Sequence, residues 1–322
     1  MMPTIEVIDP GPLTTVQDLG REGCGRIGLS RGGAADPVAL RAGNLLVGNA
    51  EGAAGLEMTL VGGSFRFDGA AVVAITGADF GPTLDGRPLP AWSACRIDPG
   101  QILTIGPTRS SARSYLLVWG GILVPEILGS AATHLLGAIG GVEGRALRAR
   151  DRLSVGPVDE SGPPFRTGLP IDPEALKPLA LAARRALPVA IRVTEGPSAD
   201  RFGPQAVRTL TAAPYTVLEE SNRTGLRLRG APIPPPLSGR MVSEGMFAGA
   251  IQITQAEQPI LLGVDHQTTG GYPAVAGVIS ADLPRVGQLR PRDEIRFEVV
   301  GLDEARAILL EQENAIRSLV RP

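Results

Sequence analysis

The densest group of polar side chains in the sequence directly follows an apolar run at residues 260–264. Asp265, His266, Gln267, Thr268 and Thr269 come one after another, and Gly270, Gly271 and Tyr272 follow them. Neighbouring side chains face opposite sides of a regular strand, so Asp265 and His266 can share a site only where the backbone turns, as the glycine pair allows. The threonine hydroxyls and nearby backbone amides could then hold an anion or an oxyanion.

We therefore predict that residues 265–269 are catalytic, and that Gly270, Gly271 and Tyr272 contact the substrate. The alternative is a polar turn whose side chains satisfy only their own backbone.

Three further side chains have the chemistry to bind a substrate. Arg223 lies in a turn at residues 221–225, where its guanidinium could bind a carboxylate through two parallel hydrogen bonds. A structural ion pair is an equal alternative for Arg223. Arg31 is the second candidate for binding a carboxylate. Gln17, Asp18 and Arg21 precede a glycine-rich loop and could turn polar groups toward a cleft. We predict that Arg223, Arg31 and Gln17 bind substrate.

Several classes of site are disfavoured by what the sequence lacks. Lys177 is the only lysine, so a phosphate-binding loop has no lysine to use, and any biotin-accepting lysine would have to be Lys177. Residues 23–28 match G-x-G-x-x-G, but no buried strand precedes them and no helix directly follows, which indicates a surface loop and not a dinucleotide site. Two histidines cannot form a histidine-rich metal site, and we predict no metal.

The composition is that of an ordinary globular protein. Of 322 residues, 43% are hydrophobic and 20% are charged. A net charge of −2 gives no electrostatic attraction for nucleic acid or an anionic membrane, so we predict neither as a partner. No apolar stretch approaches the ~18 residues of a membrane span, and the N-terminus lacks a signal-peptide pattern. We expect a cytoplasmic protein.

Strands must supply most of the framework that positions the polar residues. The 42 glycines and 29 prolines divide the sequence into short apolar runs, such as residues 72–76 and 260–264. This pattern predicts a mainly β fold of barrels or sandwiches with a few short helices. Asp36 followed by Pro37 predicts the start of one helix that ends near Gly48, and an apolar stripe from residue 305 to residue 319 predicts another.

The chain is longer than a single hydrophobic core usually supports, which predicts two domains. We place an N-terminal β-barrel domain at residues 1–157, a proline-rich connector at residues 158–188 and a C-terminal β-barrel domain at residues 189–322. A weak internal repeat between residues 147–153 and residues 289–295 supports two related barrels. Chance similarity between two hairpin entries is the alternative.

Many segments together resemble one protein family. They include GPLTTVQDLGR at residues 11–21 and QTTGGYP at residues 267–273, and further matching blocks lie at residues 33–36, 44–49, 56–60, 129–130, 133–136, 143–147 and 243–245. So many blocks in the right order are specific. The chain resembles the 5-oxoprolinase C subunit, also described as allophanate hydrolase subunit 2 or the biotin-dependent carboxyltransferase family (KipA-like).

The resemblance implies two cyclophilin-like β-barrel domains and a role within a complex. Family members pair with a smaller B subunit (KipI-like, allophanate hydrolase subunit 1) and, together with a third component, the A subunit, cleave the cyclic amide 5-oxoproline to glutamate using ATP. ATP is therefore expected at the level of the complex, with no biotin attached to this chain. Two alternatives stay open: biotin-dependent carboxyl transfer to urea-like amides, and a non-catalytic partner that antagonises a kinase-inhibitor protein.

Overall fold

A computed structural model describes residues 3–157, 188–234, 236 and 243–319. The predicted connector lies outside the described residues, apart from Pro188, and so does Lys177. The strands are β1 Thr4–Asp9, β2 Thr14–Gln17, β3 Gly55–Thr59, β4 Ser64–Phe67, β5 Ala71–Gly77, β6 Thr83–Leu84, β7 Arg87–Pro88, β8 Ala94–Ile97, β9 Ile102–Thr104, β10 Arg113–Val118, β11 Ile122–Leu123, β12 Arg152–Val155, β13 Val189–Glu195, β14 Tyr215–Val217, β15 Gly225–Arg229, β16 Glu244–Gly245, β17 Ala250–Ile253, β18 Pro259–Leu262, β19 Thr269–Gly270, β20 Ala274–Val278 and β21 Glu294–Val299. The helices are α1 Pro37–Leu46, α2 Pro204–Ala212, α3 Leu283–Gly287 and α4 Leu302–Ser318.

Contacts divide the described chain into two compact units. The first unit contains residues 3–21, 32–157 and 313–319, and the second contains residues 22–31, 188–234, 236 and 243–312. Residues 22–31 thus group with the C-terminal half and residues 313–319 with the N-terminal half. These two exchanges are absent from the linear division predicted from the sequence.

The first unit is built from two antiparallel sheets. A seven-stranded sheet has the order β11-β12-β1-β4-β9-β6-β7, and a five-stranded sheet has the order β2-β3-β10-β5-β8. Side chains of both sheets, such as Ile5 and Phe65 from one and Met58 and Leu116 from the other, form a common buried core. The core therefore lies between two facing sheets, as in a β-sandwich.

Helix α1 covers the outer face of the five-stranded sheet. It begins after Asp36, whose carboxylate accepts a hydrogen bond from Ala39 N at 2.9 Å, and Pro37 occupies its first position. The predicted N-terminal helix is confirmed. Strand β10 is buried throughout because its alternate side chains face the inter-sheet core and helix α1, as with Leu116 and Leu117.

The second unit is a closed barrel with the strand order β13-β20-β17-β18-β15-β14-β21. The β13–β21 pair is parallel and the other pairs are antiparallel. Apolar side chains such as Ile191, Leu261 and Phe297 fill its interior. Strands β16 and β19 form a separate two-stranded sheet. The mainly β fold class with a few short helices is confirmed.

The predicted C-terminal helix is also present as α4, with Ile316 fully buried and Ile308 and Leu309 half-buried. The glycine-rich segment at residues 23–28 contains a single 3-10 turn with exposed Arg26 and Ile27, and the next helix starts at Pro37, as expected for a surface loop. Among the described residues, no helix is both long enough and apolar enough to cross a membrane.

Candidate functional site

Strand pairing in the barrel brings Arg223 beside Asp265. Strand β18 pairs with β15 through Gly225 opposite Leu262, and the pairing continues past both strands. Asp265 N donates to Arg223 O at 3.1 Å, just beyond a second backbone bond, from Gly263 N to Thr224 O, at 2.9 Å. The two side chains thus meet although they are separated by 42 residues in sequence.

Arg223 and Asp265 form a buried, bidentate ion pair. Arg223 Nε donates to Asp265 Oδ2 at 2.7 Å, and Nη2 donates to Oδ1 at 3.1 Å. Each side chain is only 6% exposed. The guanidinium predicted to bind a substrate carboxylate therefore already holds a carboxylate of its own chain. The two parallel hydrogen bonds fix the relative position of the two side chains. Removing either partner would leave an uncompensated buried charge, which is strongly destabilising.

His266 lies next to the ion pair in sequence but is half-buried. Its Nδ1 is 2.8 Å from the backbone oxygen of Gln267. A carbonyl oxygen can only accept a hydrogen bond, so Nδ1 is the donor and, in the neutral ring, Nε2 is the atom that can accept a proton. This tautomer suits a general base.

Gln252 anchors both ends of the polar turn and was not among the site residues predicted from the sequence. It is buried in strand β17, where its Nε2 donates to Tyr272 O at 2.6 Å and lies 3.1 Å from Met246 Sδ. Its Oε1 accepts a bond from Gln267 Nε2 at 3.3 Å. A β-carbon at Gly270 would lie 2.7 Å from the same Nε2, so a larger residue there would displace the Gln252 amide from this position. A lone glutamine in the otherwise apolar strand AIQI was the available signal.

The middle of the turn is a small exposed sheet edge. Thr269 and Gly270 pair with Gly245 and Glu244, and Thr268 O accepts a bond from Met246 N at 2.9 Å. Gln267 and Thr269 are exposed, and Thr268 is half-buried. The turn therefore has an anchored inner side and an outer side that carries hydroxyl and amide groups.

Glu244 extends this polar surface. Its carboxylate accepts hydrogen bonds from Ser198 Oγ at 2.8 Å and from Arg201 Nη1 at 2.7 Å. Arg31, also in the second unit, is exposed and lies 3.3 Å from Glu22. Among the described residues, no group of three or more histidine, cysteine, aspartate or glutamate side chains could hold a metal ion.

Gln17 belongs to the first unit and lies in a second buried polar cluster. Its Nε2 donates to Thr15 Oγ1 at 3.0 Å and to Thr133 O at 3.1 Å. Arg21 Nη2 donates to Ala132 O at 2.5 Å. Both side chains therefore contact the segment at residues 130–134.

Asp18 fixes the same segment. Its Oδ1 accepts bonds from Gly20 N and Ser130 Oγ, both at 2.7 Å, and its Oδ2 accepts one from Ala131 N at 2.7 Å. His134, at the end of the segment, is buried and accepts a bond from Gly137 N at 3.0 Å on Nδ1. The sequence indicated Asp18 and Arg21 as polar groups beside the glycine-rich loop but not their partners, which are more than 100 residues away in sequence.

A third buried network holds the loop before helix α1. Tyr115 Oη donates to Glu57 Oε2 at 2.8 Å and accepts a bond from Asp36 N at 2.8 Å. The same Glu57 oxygen accepts a bond from Ala35 N at 2.8 Å. Burial, and then the negative charge of Glu57, raise the pKa of Tyr115 well above its ordinary value, so this hydroxyl stays protonated.

Comparisons with known proteins find related sequences that cover almost the whole chain. A family model described as carboxyltransferase domain, subdomain A and B, matches residues 27–299. The chain is 36% identical over 317 residues to the 5-oxoprolinase C subunit of Escherichia coli, with 98% of this chain and 97% of that protein covered. The corresponding protein of Haemophilus influenzae is 35% identical over 309 residues, with 96% and 95% covered.

Urea amidolyases are also similar, over a small part of their length. The protein of Saccharomyces cerevisiae is 34% identical over 328 residues, which span 98% of this chain and 18% of that protein. The crystal structure of the K. lactis urea amidolyase superimposes with a TM-score of 0.88 and 30% identity, over 99% of this chain and 20% of that chain.

Proposed function

Because the chain belongs to the family of carboxyltransferase domains with subdomains A and B, we propose that it is one component of an ATP-dependent amidohydrolase complex that cleaves 5-oxoproline to glutamate. The observation that carries this proposal is the similarity to the 5-oxoprolinase C subunit, which covers 95% or more of both relatives. The urea amidolyases are matched over about a fifth of their length, so their activity is the weaker guide.

The partners in this proposal are the smaller, KipI-like B subunit and the A subunit, in a cytoplasmic complex. The sequence offers no phosphate-binding loop lysine, since Lys177 is the only lysine and stands in a proline-rich stretch. We therefore assign ATP to the complex and no step of it to the residues of this chain. No biotin is attached to this chain in the proposal.

The outer side of the polar turn would carry the chemistry on the amide. His266 Nε2 takes a proton from the attacking water and returns it to the lactam nitrogen as the C–N bond breaks. Thr268 and Thr269 donate hydrogen bonds to the carbonyl oxygen as it gains negative charge. Arg223 and Asp265 position the turn from its buried side, and their charges neutralise each other.

The test is turnover by the assembled complex. This chain, co-purified with its A and B partners, should release ADP and glutamate when 5-oxoproline is added. We expect His266→Ala to lower kcat by about 10²–10⁴-fold and Thr269→Ala by a smaller factor. Thr104→Ala, which removes an exposed hydroxyl of the first unit, is the matched control and should leave kcat unchanged. Unchanged turnover by His266→Ala would remove His266 from the mechanism.

Carboxyl transfer to a urea-like amide is the second candidate. It is favoured by the name of the matching family and by the similarity to urea amidolyases over 98% of this chain. The same preparation should be assayed with urea and a carboxylated biotin carrier supplied as a separate chain. Carboxylation of urea without 5-oxoproline-dependent ADP release would favour this candidate. Tight binding to the KipI-like partner with neither activity would favour the non-catalytic alternative.

A further inference from the structure

One buried side chain, that of Gln252, holds both ends of residues 267–272. Gln252 is 1% exposed and lies in strand β17. Its Nε2 donates to Tyr272 O at 2.6 Å, and its Oε1 accepts a bond from Gln267 Nε2 at 3.3 Å. A carbonyl oxygen can only accept, so the contact with Tyr272 O fixes which end of the amide is Nε2. The orientation that this bond requires is also the one that presents an acceptor to Gln267.

The same amide contacts the segment that pairs with the turn. Gln252 Nε2 lies 3.1 Å from Met246 Sδ, and Met246 N donates to Thr268 O at 2.9 Å. Gln252 therefore contacts the start of the turn, its end and the segment paired with its middle. Buried hydrogen bonds that are connected in this way hold a segment in one conformation.

Gln267 links Gln252 to His266. The Gln267 side chain is exposed, so its bond to the buried Gln252 amide restrains a residue that solvent would otherwise leave free to rotate. The backbone oxygen of Gln267 accepts the bond from His266 Nδ1 at 2.8 Å. In a neutral imidazole, the hydrogen bond made by one ring nitrogen determines which nitrogen carries the proton.

We infer that Gln252 is a positioning residue: by holding Gln267, it keeps the proton of the neutral His266 ring on Nδ1 and leaves Nε2 as the acceptor. Gln252 is too buried to touch an amide on the outer side of the turn, so it acts through Gln267 and His266. The inference rests on the proposed function, in which His266 Nε2 takes a proton from water, and deepens it by naming the residue that orients this base.

The chain contains an internal reference for a test by NMR, because His134 and His266 are its only histidines. Gly137 N donates to His134 Nδ1 at 3.0 Å, so the neutral His134 ring carries its proton on Nε2. We therefore expect opposite tautomers for the two rings. Nitrogen-15 NMR of the full chain with labelled histidine distinguishes them at about pH 9, well above the ordinary histidine pKa of about 6.5. His266→Ala identifies the His266 signals by their loss.

Two variants test whether Gln252 sets the tautomer of His266. Gln252→Met removes the amide and keeps a long unbranched side chain, and Gln267→Met removes the exposed partner alone. We expect each variant to convert the His266 ring to a mixture of tautomers and to leave the His134 signals unchanged. Gln258→Met is the matched control in the same unit, because the Gln258 amide bonds to Gly230 N at 3.0 Å and to Gly230 O at 3.4 Å. It should leave both rings unchanged.

Turnover by the assembled complex gives a second readout. Gln252→Met should lower kcat by about 10–100-fold and leave KM unchanged, because the base is misplaced while the substrate contacts remain. The same change in a His266→Ala variant should lower kcat no further, since the group that Gln252 positions is gone. A purely structural role would lower turnover equally in both backgrounds.

The inference is overturned if His266 carries its proton on Nε2, if its ring keeps the Nδ1 form in either folded variant, or if Gln252→Met lowers kcat equally with and without His266. Should Gln252→Met fail to fold, Gln267→Met decides, because its side chain is exposed. A tautomer that depends on Gln252, in a complex without turnover, would contradict the proposed function and leave the control of the ring standing. Normal turnover with a tautomer that ignores both variants would do the reverse.

Discussion

The buried pair of Arg223 and Asp265 makes a sharp prediction about stability. Asp265→Asn keeps the shape of the side chain but removes the charge that compensates the guanidinium. Both partners are 6% exposed, so water cannot replace the lost carboxylate. Breaking a buried pair in this way costs about 3–5 kcal/mol, which for a domain of this size lowers Tm by about 10–20 °C.

Removing both charges together should cost much less. In Arg223→Met with Asp265→Leu, no buried charge is left, and such replacements of buried pairs by apolar residues are often neutral or stabilising. We expect the double variant to recover most of the stability lost in Asp265→Asn. The non-additivity of the two single changes measures the coupling of the pair.

The assay is thermal unfolding followed by circular dichroism, with Glu219→Gln as the control. Glu219 pairs with Arg292 at 2.7 Å, but the two side chains are 60% and 86% exposed, so its loss should cost less than about 1 kcal/mol. If Asp265→Asn lowers Tm no more than the control does, the pair is not desolvated and the reasoning fails.

The double variant also separates a structural role from a catalytic one. If Arg223 and Asp265 position the turn, the folded double variant keeps a measurable share of the activity of the assembled complex. If Asp265 takes part in the chemistry, as the sequence predicted, the variant is folded and inactive. Turnover normalised to the folded fraction distinguishes the two results.

Local contacts elsewhere set three more expectations. Tyr115→Phe removes a buried donor to Glu57 and should cost about 1–3 kcal/mol in urea unfolding; no loss would show that the network is dispensable. Gly77 and Gly28 have nearly equal φ of 86° and 84°, but a β-carbon at Gly77 would lie 2.5 Å from a backbone oxygen, whereas nothing lies within 4 Å at Gly28. Gly28→Ala should therefore cost about 1–2 kcal/mol and Gly77→Ala clearly more, and equal losses would contradict the steric argument. Burial raises the pKa of Tyr215 from 10.0 to about 12. The contribution of this group to stability is complete below the pKa of the unfolded state and is lost as the pH rises through the pKa of the folded state. The free energy of unfolding should therefore fall between pH 10.0 and about 12. Tyr215→Phe should reduce this pH dependence, measured by urea unfolding at several pH values.

The strands and two of the helices could be predicted because their signals are local. Asp36 and Pro37 specify a helix start by themselves, through a side-chain acceptor and a preset backbone angle. The grouping of residues 22–31 with the second unit has no such signal, because it depends on contacts with residues far away in sequence. Which unit a segment belongs to is decided by contacts in the folded chain, and no short sequence motif encodes it.

The position of the polar turn after a buried strand could be predicted, but the partners of its side chains could not be deduced. Arg223 and Asp265 meet because Gly225 lies opposite Leu262, and a shift of one residue in that register would turn the two side chains to different faces. The composition of both strands is visible in the sequence, whereas this register is not. Gln252 was missed for the same reason, since its bond to Tyr272 O requires the turn to fold back over strand β17.

The register also divides the five residues that the sequence grouped as one catalytic set. Asp265 is buried, and its carboxylate is engaged in the ion pair with Arg223. His266, Gln267 and Thr269 come after the backbone has turned, and they are half-buried or exposed. A reacting amide can reach only the second group, because the ion pair offers no face to solvent. We therefore expect chemistry at this turn to start from His266 and the residues after it, with Asp265 fixing their position.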